Sequence, residues 1–275
     1  KLGHTDNRAI QFISNDEHVG RLGGNNNILL GLRSGNNLSQ IASPGSYKNI
    51  AIGDDALKTS SSATYNIAIG HNAMADATGG GTGIAIGGSA LNKQAPGALE
   101  NIAIGYSSQA ATTSGSYNIS VGRQSLFKNT TGSENVAQGA SSLEDNTTGS
   151  TNVAMGNSSA AKNTTGYSNV AIGASALFKN TIKRNLVAIG DSALYNNGEG
   201  AIFDVHATRN TAVGSKSLFR NSTGYSNSAF GSGSLSQNTI GTSNTAIGDA
   251  TLRQNTIGHS NTAVGAGTLA QNTFG

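Results

Sequence analysis

Apolar and polar positions along the chain follow one short phrase. It is most regular at Asn169-Val170-Ala171-Ile172-Gly173-Ala174-Ser175-Ala176-Leu177-Phe178-Lys179-Asn180. Three apolar residues run into a glycine, a leucine follows four positions later, and polar residues close the phrase. Taking Gly173 as the anchor, the same phrase recurs at Gly53, Gly70, Gly87, Gly105, Gly122, Gly139, Gly156, Gly190, Gly214, Gly231, Gly248 and Gly265. The steps are 17, 17, 18, 17, 17, 17, 17, 17, 24, 17, 17 and 17 residues. A period held over thirteen copies is the signature of stacked like coils, each packing on its neighbours.

Within each repeat the pattern predicts four parts. A strand, Asn-x-Ala-x, ends at the anchor glycine, and a tight turn follows. A second short strand is led by a small residue and then Leu, as in Ala56-Leu57 or Ala193-Leu194. A polar corner closes the repeat, as in Asn163-Thr164-Thr165-Gly166. Alternation over so few residues, bounded by Gly and Asn, excludes helix. The expected fold is therefore all-β: a parallel β-solenoid, or β-roll, of about thirteen 17-residue coils over residues 46–275. Residues 1–45 read as an amino-terminal β-rich adaptor or cap. In it, Ala9–Ile13 and Asn27–Leu30 are strand candidates, Ser43–Ser46 is turn chemistry, and Gly31 is a degenerate first anchor.

Alternation also assigns faces. Ile172 and its equivalents before each anchor, together with the Leu177 row, are expected to fill the coil interior. The Ala171 row, Ala in every copy but Ser120, then lies on the opposite face, open to close approach by another surface. Asn169 and Asn180 head two rows of stacked asparagines. Such side chains can hydrogen-bond from coil to coil and tolerate the backbone of a sharp corner, so both rows read as structural.

The one large departure is the 24-residue step from Gly190 to Gly214. Its extra length, at 198–209, is expected to emerge as a side loop. Glu199, Ile202, Phe203, Asp204, Val205, His206 and Arg209 there form the only apolar, aromatic and charged mixture outside the pattern. They are the candidate binding residues, either for recognition or for clamping a neighbouring chain.

Composition narrows the function classes. With 36% hydrophobic and 5% aromatic residues, the chain is thin for one large core but adequate for a stack. Two short strands and about three large apolar side chains per coil predict that partner chains complete the burial, hence an oligomer. The net charge of +3 and 11% charged residues, without a basic run, argue against nucleic acid. No apolar run reaches transmembrane length, so no membrane insertion by this segment is expected. The five His show no metal-ligand spacing, Cys is absent, and Asp is missing from nearly every turn, so no metal and no cofactor are expected. Asp54, Asp191 and Asp249 share one repeat position on non-adjacent coils. Only Glu199 and Asp204 could meet as a carboxyl pair, and a solvated loop is their default, so no catalytic residues are assigned and no enzyme is expected. The threonine row at the corners leaves ice binding as a minor alternative. The start, Lys1-Leu2-Gly3-His4-Thr5, reads as a fragment of a longer chain.

The repeated Asn-x-Ala-Ile/Val-Gly resembles the head repeat of trimeric autotransporter adhesins of the YadA type. The longer form here, with Asn-Thr-Thr-Gly between phrases, is similar to repeats in tail fibres of bacteriophages and of phage-like contractile injection systems. Residues Leu2–Asn15 look like the short β segment that precedes such arrays. The resemblance covers residues 49–275. It implies a left-handed roll and three chains side by side, so that the expected oligomer is a homotrimer. It further implies a fibre or adhesion segment on the outer face of a virion tail, an injection system or a bacterial cell. Its partners would be a baseplate or longer fibre chain and a protein or glycan receptor on a target cell.

Overall fold

The computed structural model describes residues 10–14, 17–23, 25–38, 47–78 and 81–275. The expected turn at Ser43–Ser46, and residues 2–9 and 15 of the fibre-like segment, lie outside them. No helix occurs among the described residues, and the chain is a parallel β-solenoid. It divides into two compact units, Lys1–Glu134 and Asn135–Gly275.

Unit 1 opens with β1 (Ile10–Ser14), β2 (Glu17–Gly23) and β3 (Asn27–Leu30), paired antiparallel in that order. Strand β2 has no counterpart in the expected pattern. From β3 onward pairing is parallel, through β4 (Ile50–Ile52), β5 (Ile67–Ile69), β6 (Gly83–Ile86), β7 (Asn101–Ile104) and β8 (Ile119–Val121). Gly31 does act as a first anchor: its φ is +121° and a Cβ there would lie 2.6 Å from the Gly53 carbonyl.

Unit 2 carries β9 (Val136–Gln138), β10 (Val153–Met155), β11 (Val170–Ile172), β12 (Val187–Ile189), β13 (Thr211–Val213), β14 (Ser228–Phe230), β15 (Thr245–Ile247) and β16 (Thr262–Val264). All pair in parallel and in register, so that Ala154, Ala171 and Ala188 are direct neighbours. The thirteen phrases thus become five coils in unit 1 and eight in unit 2.

The faces are the reverse of those expected. Ala171 is fully buried, as are Ala51, Ala188 and Ala246, and they share the interior with Leu177 and its equivalents. The row before the anchor points outward: Ile52, Ile86 and Ile104 are each 36% exposed, and Ile247 is 42% exposed. Ile172 and Val170 are half-buried on that outer face. The reason is thickness. The segment carrying Leu177 returns so close to the strand that only a methyl group fits opposite the leucine. The larger Ile is therefore turned out.

The segment expected to be a second strand is a run of turns. Ser175 and Leu177 both have positive φ, 55° and 54°, so the chain cannot extend. Its N–H groups alternate in partner. Ala176 and Phe178 bond three residues back, to Gly173 and Ser175. Ser175 bonds to Asn157 of the preceding coil, and Leu177 and Lys179 bond to Ala193 and Tyr195 of the next. This accounts for the backbone donors of a segment with no strand partner. The anchor is glycine for two reasons: Gly173 has φ +127°, and a Cβ would sit 2.5 Å from the Gly190 carbonyl oxygen.

Both asparagine rows are buried ladders. Asn169 donates its backbone N–H to Asn152 Oδ1 (3.1 Å) and its Nδ2 to the Lys183 carbonyl (2.9 Å). Asn180 Nδ2 donates to Asn163 Oδ1, and Asn163 Nδ2 to Asn146 Oδ1. Where the phrase breaks in unit 1, the interior compensates. Gln109 stands in the leucine row and Ser120 in the alanine row, and Gln109 Nε2 donates to Ser120 Oγ (2.9 Å) and to the Ile102 carbonyl (2.8 Å).

Candidate functional site

The site grows out of one corner of unit 2. At a regular corner, Asn163 Nδ2 closes the turn on the Gly166 carbonyl at 2.9 Å. In the long coil Asn197 Nδ2 closes on the Ala207 carbonyl, also at 2.9 Å. Ala207 is therefore the equivalent of Gly166, and the nine residues 198–206 replace the two threonines 164 and 165. Thr208 and Arg209 belong to the regular coil. Arg209 has φ +56° in the same row as Ser168 and Ser226, so it is set apart from the loop with which the sequence grouped it.

The loop is tethered at its base. The Gly198 N–H donates to the Ser222 carbonyl of the next coil (2.9 Å), and the His206 N–H to the Phe203 carbonyl (3.1 Å). Glu199 forms an ion pair with Lys179 at 3.1 Å, which takes it out of a carboxyl pair with the exposed Asp204. The tip is apolar and open: Ile202 is 81% exposed, Phe203 60% and Val205 41%. The His206 ring packs edge-on against Phe203, centroids 4.9 Å apart, and its buried Nδ1 has no hydrogen-bond partner.

Lys183 is the residue that sequence reasoning missed. It occupies the row of Gly115, Gly149, Gly166, Gly224 and Gly241. At those glycines a Cβ would lie 2.3–2.5 Å from the carbonyl oxygen of the next coil. Lys183 does carry a Cβ, and the coil stacked on it is the long one. Its buried side chain runs under the loop, and Nζ donates to the Phe203 carbonyl at 2.8 Å. Burial pushes the ammonium below the ordinary lysine range, with Asp204 opposing and Arg184 adding to the shift. The signal was available in the sequence, as the one lysine in a glycine row.

Beside the loop lies a groove of about 470 Å³ edged by Lys162, Lys179, Thr164, Thr181 and Glu199. Its charges cancel in pairs, Lys162 with Asp145 at 2.9 Å and Lys179 with Glu199. The arrangement offers an apolar, aromatic tip on a fixed base. Such a tip can fill a partner's pocket while its rim of charge sets the register. Comparison with protein-family models, curated proteins and solved structures finds no match to the chain.

Proposed function

We propose that the chain is a structural segment of an adhesive fibre, of the kind carried by bacteriophage tails and phage-like injection systems. In this reading three copies assemble side by side, and the segment projects a receptor-contacting end away from a particle. One observation carries the reading. In each unit the outer strand face bears two rows of side chains left partly exposed by the described residues; they are branched and apolar throughout β4–β8 of unit 1 and mostly so over β10–β12 of unit 2, while β13–β16 carry Thr or Ser in the first row. In unit 1 these are Ile50, Ile67 and Ile84 beside Ile52, Ile69 and Ile86; in unit 2, Val153, Val170 and Val187 beside Met155, Ile172 and Ile189.

An uncharged apolar face that continues over several coils marks an interaction surface. Its rows repeat at the strand spacing of about 4.8 Å. A second copy of this chain presents the same pitch, so ridges and gaps match along the whole row. The interface is thus the Ile/Val face rather than the Ala171 row. The loop tip at Ile202 and Phe203 serves as lateral anchor, on a receptor or on the neighbouring chain.

The test is the mass in solution by light scattering. The expected value is three times the 27.7 kDa chain. The double variant Ile172→Asp/Ile189→Asp should give a folded monomer. A wild-type chain that is a stable folded monomer overturns the reading.

A further inference from the structure

On the other side of the coil interior from the strand face, unit 2 carries a second, charged groove. An aromatic stack runs along the turn segments of three coils. Phe178 lies on Tyr195 with centroids 5.1 Å apart, and Tyr195 on Phe219 at 5.3 Å, both near parallel. The next residue in that row is Ser236, so the stack stops and the far face of Phe219 has no ring on it. The coil of Ser236 is small throughout its outer turn, with Ser232 and Gly233 as well. Nothing lies within 4 Å of where a Gly233 Cβ would be. The result is an open groove of about 460 Å³. Its walls stand two coils apart, roughly 9–10 Å.

The walls are cationic. Lys216 and Arg220 flank Phe219 on one side and Arg253 stands on the other, all exposed and lining the groove. None of the three has an ion-pair partner among the described residues. Asp249, Gln237 and the serines Ser215, Ser232 and Ser236 line it too.

We infer that this groove binds an acidic saccharide, one carrying a carboxylate on its ring or side chain. Each part of the ligand has a matching part of the site. The guanidinium groups take the carboxylate in forked hydrogen bonds. The open face of Phe219 takes the apolar face of the sugar ring, which continues the stack. Asp249, Gln237 and the serines take hydroxyls. The groove is one coil wide, so it suits one or two rings. A nucleic acid fits poorly, because the basic patch ends within two coils: the positions beyond Arg253 are Ala270 and Gln271. Asp249 also opposes a run of phosphates. Binding in one groove does not depend on the trimeric reading. Only the threefold display, and the avidity it brings, rests on it.

The experiment is calorimetric titration of the whole chain with 3′-sialyllactose and with trigalacturonate. Lactose and inorganic phosphate serve as comparison ligands, at low and high salt. The acidic sugars should bind and lactose at least about tenfold more weakly. Arg253→Gln and Arg220→Gln should each lower affinity by about 10-fold or more, the loss of one charged hydrogen bond, with unchanged melting curves. Unchanged affinity in both variants overturns the proposal, as does failure of both acidic sugars to bind. Phosphate binding as tightly as the sugars overturns the saccharide assignment. Light scattering on the same samples separates this outcome from that of the trimer: a monomer that still binds leaves the groove standing.

Discussion

Replacing Ala171 by Leu adds three carbons to an interior that holds one methyl group opposite Leu177. Ala171 and Leu177 are both fully buried. Overpacking such a site costs roughly 1–3 kcal/mol, so Ala171→Leu should lower the melting temperature of the folded chain by several degrees. Ile172→Ala, on the outer face, should leave the fold of the coil nearly unchanged and weaken assembly instead. Asn163 is costlier still. It donates to Gly166 and to Asn146 and accepts from Asn180. Asn163→Ala removes all three of these buried hydrogen bonds, at about 0.5–1.5 kcal/mol each, and should lower the urea midpoint. In the row of Asn169 the next residue is Leu186, whose backbone N–H bonds Asn169 Oδ1 at 3.2 Å, so Asn169→Leu strands that donor and should lower the midpoint as well. The period, the anchor glycines and both asparagine rows were legible from residue identity alone. The faces were not, because large-inside, small-outside holds for a sheet packed against a thick layer. Here the facing layer is a turn segment almost in contact.

At the scale of the element, the turn segment resembles a strand in sequence because its alternation of small and large residues matches one. Nothing in the letters announces that Leu177 and Leu194 take positive φ, a backbone that branched and bulky residues rarely adopt. The 198–206 loop was legible as extra length. Its dependence on Lys183 leaves its sign outside the loop, in the preceding coil, as the one lysine in a glycine row. The two are coupled, and the coupling can be measured. Replacing residues 198–210 by the short phrase Thr164–Asn169 restores the 17-residue step but sets a carbonyl against the Lys183 Cβ. This swap alone should destabilise the chain by about 1–3 kcal/mol, and adding Lys183→Gly should recover most of the loss.

Lys183 also carries a pH signature. Its folded pKa lies below the ordinary lysine value of 10.5, so between the two the unfolded chain binds more protons. Stability therefore rises with pH across that window. Below it, the cost of the buried ammonium is fully present. Lys183→Met should flatten this rise in a series of melts at increasing pH.

For the whole molecule, the repeat makes length adjustable in one quantum only. Coils within a unit interact with their neighbours alone, so stability is close to a sum over coils and interfaces. Deleting 140–156 from unit 2 joins Gly139 to Asn157 and removes one 17-residue coil. The variant should stay soluble and keep its β circular dichroism. Deleting 140–155, one residue fewer, shifts the next strand by one position and turns its alanine outward, and should not fold. The one extra residue between Gly87 and Gly105 is absorbed in the turn Ala95–Glu100, outside any strand.

The hydrogen bonds that join one coil to the next all lie along the stacking direction, through the strand register and the asparagine ladders of unit 2 alike. Under tension along that direction the coils are links in series. The last interface gives way before the one behind it feels a larger load. Each regular link that opens releases 17 residues, about 56–61 Å of extended chain, from a coil that occupied about 4.8 Å of height. A single pulled copy therefore pays out slack at a nearly constant force, more than ten times its stacked length, where a bundle of continuous strands would hold and then snap.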